Sequence, residues 1–162
     1  MGSNLTRLAD KSIALATAKG AHIPNYQSTE VTLLEQHHDS MFRTRFAPCV
    51  QRSGINPRYN CHGLTFASRR TWIPDSASIF TILRDDEYDE IPMDRVLAGD
   101  IIVYYSENND VEHSGIVVIP PILSDMKVAQ VYSKWGKGSE MIHSAGQCPY
   151  DASRVRYYRV KS

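Results

Sequence analysis

The stretch Gly99–Ile119, "GDIIVYYSENNDVEHSGIVVI", decides the fold class of this chain. It holds two β-branched and aromatic runs, one in "GDIIVYYS" and one in "HSGIVVI", with a short polar connection between them. Such runs fit pleated, half-buried strands. The connection is too short for a crossover helix, so the strands must pair antiparallel. Downstream, "VAQVYS" (Val128–Ser133) and "RVRYYRV" (Arg154–Val160) have the same texture, and "KGSEMIHS" (Lys137–Ser144) is a candidate for a further strand. The second half therefore predicts an antiparallel sheet.

Upstream of Ala98 the pattern is helical. Asn4 reads as the N-cap of a helix carrying Leu5, Leu8, Ile13, Leu15 and Ala16, with Gly20 as its stop. Thr32 to Phe46 predicts a second helix with Leu33, Leu34, Met41 and Phe42 facing inward, ended by Pro48. A third is expected from Cys61 to about Thr71, with Leu64, Ala67 and Ser68 on one face and Pro74 as its stop. A short one follows from Ser76 to Leu83, and "RDDEYDE" (Arg84–Glu90) reads as an acidic surface segment. Helices in front and a sheet behind define the α+β class. At 162 residues the chain fits one domain, with 1–58 as a helical N-terminal extension and 59–162 as the core.

Composition narrows the function classes. Hydrophobic content of 42% and charged content of 22% are those of a globular protein. A formal net charge of +0 argues against a broad nucleic-acid surface. Arg154, Arg156 and Arg159 alternate on a predicted strand and read as its solvated face; Arg69 and Arg70 complete the basic candidates. No run is apolar enough to span a membrane, and the N-terminal apolar piece Ile13–Ala18 has charged flanks unlike a secretory signal. The expected location is cytoplasmic as synthesised, with any export following a signal-peptide-independent route. Cys49, Cys61 and Cys148 contain no CxxC pair and suggest neither a disulfide framework nor a zinc site.

Cys61 stands apart because turn chemistry in "QRSGINPRYN" leads directly to it and an apolar run follows. A thiol at a helix head meets free N–H groups that favour thiolate and can stabilise an oxyanion. Gly63 in the first turn would let a substrate or a strand approach closely. A thiolate needs a basic partner, and imidazole is the usual one. His62 adjoins Cys61 and cannot face it, whereas His37 and His38 fall in a surface helix. His113 opens a strand beside the small residues Ser114 and Gly115, which leave room for a substrate. A lone cysteine is more commonly a small buried hydrophobe, and a lone histidine at a strand start is more commonly structural.

The joint arrangement resembles the NlpC/P60 and CHAP group of papain-like cysteine peptidases and amidases. The matching stretches are Asn60-Cys61-His62-Gly63-Leu64, Gly99-Asp100-Ile101-Ile102-Val103-Tyr104 and His113-Ser114-Gly115-Ile116-Val117-Val118, within residues 59–135. The family has serine after the cysteine, where this chain has His62. The resemblance implies a papain-like fold, N-terminal helices packed on a small antiparallel sheet, with Cys61 as nucleophile and His113 as base. By position it implies Ser133 as the third, orienting residue, with Gln130, Lys134, Glu140 and His143 as rivals. Tyr59, Asn60, His62, Gly63 and Ser114 would bind substrate, joined by Trp135, which reads equally as a cleft wall or a packed strand end. The implied activity is amide hydrolysis through a Cys–His acyl-enzyme, on a peptide or bacterial cell-wall fragment, with no cofactor and no metal. A protein-directed acyltransferase or deamidase toxin, with a cognate inhibitor as partner, would use the same chemistry. A non-enzymatic binding domain would use none of it. Neither nucleic acid nor membrane is an expected partner.

Overall fold

In the computed structural model, which describes residues 11–162, seven strands form one antiparallel sheet, and three α-helices pack around it. The helices are α1 (Leu33–Arg45), α2 (Cys61–Phe66) and α3 (Ser76–Asp85). The strands are β1 (Val50–Gln51), β2 (Tyr88–Ile91), β3 (Ile101–Tyr105), β4 (Val111–Ile119), β5 (Gln130–Lys134), β6 (Glu140–Ser144) and β7 (Val155–Val160). Their order across the sheet is β1-β6-β5-β4-β3-β7-β2. The opening stretch forms the central β3–β4 hairpin, with Ile102 opposite Gly115 and Tyr104 opposite His113. The α+β class and the antiparallel pairing follow the sequence expectation. Among the described residues no helix is long and apolar enough to cross a membrane.

The sheet is buried on both faces, which explains why all of β3 is buried instead of alternating. Ile101, Val103 and Tyr105 join Ile79, Ile82 and Leu83 of α3 in one apolar cluster. Ile102 and Tyr104 point the other way, into a second cluster with Val117, Val131, Trp135 and Met141. Phe42 and Phe46, from α1 and its C-cap, pack on this second cluster and meet the Trp135 ring edge-on. Helix α2 packs on β4 and β5.

Several expectations on the N-terminal side need correction. Residues 11–20 are not helical: Lys11 bridges to Gln27 and Ala16 to His22, which makes an extended hairpin-like segment. The first part of that expected helix lies outside the described residues. Helix α1 forms within the expected bounds but not on the expected face. Leu33, Leu34 and Met41 are exposed, while Asp39 is buried because its carboxylate accepts from the Ser139 N–H and hydroxyl. Its start is set by a capping box between Thr32 and Glu35. The 1–58 segment is no separate helical extension: β1 pairs with β6, Tyr26 bridges to Trp72, and Ile23 lies in the core. The sheet is larger than the small one expected, since part of the acidic stretch 84–90 becomes edge strand β2, paired with β7.

Helix α2 stops at Phe66, five residues short of the expected Thr71, because Ser68 and Arg69 turn left-handed, at φ 49° and 64°. The turned-back chain brings the Thr71 carbonyl against Gly63, where an added Cβ would lie 1.9 Å from the Thr71 oxygen. The close approach at Gly63 is thus made by the chain's own backbone and not by a substrate. Gly63→Ala should displace the head of α2 and lower stability by about 2–4 kcal/mol, measured by urea denaturation. An unchanged midpoint would show that the 63–71 contact is not tight.

Candidate functional site

Cys61 is the first residue of α2, and Asn60 is the cap that sets it there. The Asn60 side chain accepts from the Gly63 N–H at 2.9 Å and the Ile73 N–H at 3.2 Å, and donates to the Ile73 carbonyl at 2.8 Å. His62 then ties the same turn to β4, with Nδ1 2.7 Å from the Ser114 hydroxyl. The Ser114 hydroxyl donates to Thr65 at 3.1 Å, and Thr65 donates to the Cys61 carbonyl at 2.9 Å. With the Ser114 proton committed to Thr65, Nδ1 of His62 must carry the hydrogen and donate. Burial holds the His62 imidazole neutral, pushed down to about 4.

The last β4–β5 pair is Gly115 opposite Ser133, so Ser114 and His113 run on beyond the paired part of the two strands. The backbone N–H groups of Ser114, His62 and Cys61 itself favour negative charge on the Cys61 sulfur. Burial nevertheless dominates and pushes the Cys61 thiol up to about 11, against those N–H groups and the charge of Lys134. His113 is fully buried on the adjacent strand position. Burial, with the nearby His143 and His62, drives its basicity well below that of free imidazole. Cys61 is therefore a neutral thiol and His113 a neutral imidazole, and Tyr150 interacts with both.

No hydrogen bond joins Cys61 to His113: among the described residues both ring nitrogens of His113 are buried and unpartnered. A buried polar atom left unpaired costs about 1–3 kcal/mol. Instead the His113 ring is held by aromatic contacts. Tyr150 stacks on it with centroids 3.9 Å apart and planes 6° apart, and Tyr104 meets it edge-on at 5.0 Å.

The orienting role expected of Ser133 is not visible in its contacts. Its hydroxyl lies 2.6 Å from Nε2 of His143, whose Nδ1 lies 2.8 Å from the Ser144 carbonyl. A carbonyl only accepts, so Nδ1 bears the hydrogen and Ser133 donates to Nε2. Of the rivals, Gln130 donates to the Ser144 hydroxyl, away from His113. Glu140 lies on the α2 side of the sheet, where it accepts from Tyr59 at 2.7 Å, from Arg69 at 2.6 Å and from Tyr132. Burial pulls the Glu140 carboxyl up, and these donors outweigh it and hold it below the usual range. Ser133→Ala should leave Nε2 of His143 unpaired and cost about 1–3 kcal/mol of stability. Denaturant unfolding tests this; a stability equal to wild type would rule out a buried Ser133–His143 bond.

Lys134 is a residue that the sequence offered only as a rival. Its side chain is fully buried, with Nζ 5.0 Å from the centroid of the Tyr59 ring and donating to the Gly138 carbonyl. Burial pushes the ammonium down to about 8, while Glu140, Asp39 and Cys61 act in the other direction. It is the cation that acts on the Cys61 sulfur.

Tyr59, Asn60, His62, Gly63 and Ser114, expected to bind substrate, are all buried and engaged within the protein. They build the floor that holds Cys61. Trp135 is buried in the second apolar cluster, and with Phe42, Trp72, Gly136, Asp39 and Tyr150 it also lines a cavity of about 260 Å³. Tyr150, absent from the sequence expectation, belongs to both places, since it faces this cavity, stacks on His113 and interacts with Cys61. An aromatic residue in a loop after "QCP" carries no local signal of such a role.

The arginines considered for nucleic acid are committed elsewhere. Arg159 chelates Asp100, Arg156 pairs with Glu90, and Arg69 pairs with Glu140. Among the described residues no cluster of three or more His, Cys, Asp or Glu side chains could hold a metal ion. No family model, curated protein sequence or solved structure matches the chain.

Proposed function

We propose that this chain is a cysteine-dependent hydrolase of amide bonds in peptide-type substrates, built on a papain-like, NlpC/P60-like arrangement. The observation that carries the reading is the Cys61 thiol at the capped head of α2, with Tyr150 interacting both with it and with the stacked imidazole of His113, whose two nitrogens are unpartnered among the described residues. An imidazole with both nitrogens uncommitted is free to exchange protons with a reacting group.

In this mechanism His113 takes the Cys61 proton as the sulfur attacks the acyl carbon. The N–H groups around the sulfur stabilise the oxyanion, and the Lys134 ammonium lowers the cost of negative charge there. His113 returns its proton to the leaving amine, and water activated by the same imidazole releases the acyl group. Ser133 and His143 act together as a hydrogen-bonded support beneath the site and do not orient His113. Bacterial cell-wall stem peptides are the first substrate class to test, because they are the commonest target of the family that the sequence resembles.

The experiment is digestion of purified cell wall and of a peptide library, read by mass spectrometry, with Cys61→Ala as control. New amine and carboxyl termini produced by wild type and not by the variant support the reading. Identical digests from both sink it. A second reading, a binding domain with an inert Cys61, is favoured by the burial that pushes the thiol up to about 11. It requires Cys61 to resist alkylation in the native protein.

A further inference from the structure

Cys61 is 4% exposed and His113 is 0% exposed, so no substrate can reach the pair as the structure stands. The closure has an identifiable cause. Tyr150 lies flat on the imidazole at 3.9 Å and 6° and interacts with Cys61, while the Gly136 N–H acts on its phenol oxygen. Tyr150 sits in the irregular connection between β6 and β7, outside the sheet's hydrogen-bond ladder. That connection is anchored by Cys148, which is buried with its sulfur 3.6 Å from the carbonyls of Ala145 and Tyr150. On the exposed side of Tyr150 is the 260 Å³ cavity, walled by the aromatic side chains of Phe42, Trp72 and Trp135.

We infer that Tyr150 is a gate, stacked on His113 in a closed state and swinging into the neighbouring aromatic cavity to open the Cys61–His113 site. Three features support this. The closed state leaves both His113 nitrogens buried without partners, so it is poised against itself, and opening relieves that by letting water or substrate reach the ring. The cavity offers the displaced phenol ring an aromatic surface, so opening does not require the ring to enter bulk water. The closed state also disfavours charge separation between thiol and imidazole, and hydration on opening moves both groups toward reactivity. The substrate's planar acyl group would take the place vacated by the phenol ring. The catalytic consequence rests on the proposed thiol chemistry; the motion itself does not.

The test is therefore alkylation, which needs no substrate. In native wild-type protein, iodoacetamide should modify Cys61 at least about tenfold faster than Cys148, with little dependence on added urea, because a local opening frees only Cys61. Tyr150→Ala should raise the Cys61 rate by about another tenfold or more and leave Cys148 protected, whereas Tyr150→Phe, which keeps the stacked ring, should stay within about threefold of wild type. A Tyr150→Ala rate equal to wild type overturns the gate. So does a Tyr150→Ala protein in which Cys61 and Cys148 become reactive together, since the whole connection has then loosened. Should that variant fail to fold, the wild-type comparison decides: equal Cys61 and Cys148 rates with a common urea dependence mean that only general unfolding exposes Cys61. A working gate without amide cleavage would remove the proposed function alone; cleavage without the alkylation pattern would remove the gate alone.

Discussion

Cys61→Ala and His113→Ala should each lower amide-cleaving activity by about 10⁴-fold or more, and the double variant should be no worse than either single one. The non-additivity is the informative part. Nucleophile and base are one chemical unit, so once either is gone the other has nothing to do. Both residues are buried, so stability needs a separate measurement. Cys61→Ala removes one sulfur from a tight site, and Ala is tolerated at the start of a helix. His113→Ala deletes an imidazole stacked on Tyr150 and met edge-on by Tyr104, but it also removes two unpartnered buried nitrogens. The loss of packing and the relief of desolvation oppose each other, so both variants should unfold cooperatively. Activity is read on whichever peptide the digest identifies. Full activity in a folded Cys61→Ala protein would end the nucleophile assignment. Independent, multiplicative losses would mean that the two residues do not act on the same step.

The second large effect is on stability against pH. His62, His113 and His143 are 5%, 0% and 1% exposed, and burial is the first cause that lowers each below free imidazole. His62 and His143 fall to about 4, the latter against the Ser144 carbonyl, which pulls it up. The unfolded chain binds protons on these residues near pH 6.5, and the folded chain does not. Stability is therefore fully present above about pH 6.5 and falls as pH drops toward the folded values. At pH 5 His62 and His143 should each cost about 2 kcal/mol relative to pH 7.5, about 4 kcal/mol together, and His113 adds to the loss in the same direction. That is comparable with the whole stability of an ordinary domain, so unfolding should begin at mildly acidic pH. Glu140 extends the loss below about pH 4.5, because its folded carboxyl is held low and its contribution disappears on protonation. Urea midpoints measured from pH 7.5 to pH 5 test the sum. A flat profile, or an uptake of fewer than about two protons on unfolding, would show that these imidazoles are not held neutral inside.

Much of the architecture was legible because it depends on local chemistry. The β-branched runs around Ile101–Tyr105 and Val111–Ile119 have few other ways to bury themselves, and their short connections exclude parallel pairing. Turn residues before Cys61 and the apolar run after it placed the head of α2, and the structure adds the Asn60 side chain as its cap. The place of His113 near the start of β4 was likewise readable from the strand pattern. Partners across the sheet were not. Ser133 and His143 meet because β5 and β6 pair in one register, and the same register puts Glu140 on the opposite face, with Tyr59 and Arg69. A one-residue slip would exchange those faces, and no local propensity encodes it. The face of α1 escaped for a similar reason. Asp39 turns inward because a distant N–H and hydroxyl at Ser139 satisfy its carboxylate, while Leu33 and Leu34 find no apolar surface to cover. Tyr150 is the extreme case. Its stacking on His113 is set by where the β6–β7 connection crosses the end of β4, a relation between segments far apart in the chain. Sequence by itself determined the class, the central hairpin and the place of Cys61 at the head of α2, because propensity and turn chemistry act over a few residues. Only the tertiary structure decided which side chain each one faces and what covers the site, because burial and pairing are properties of the assembled sheet.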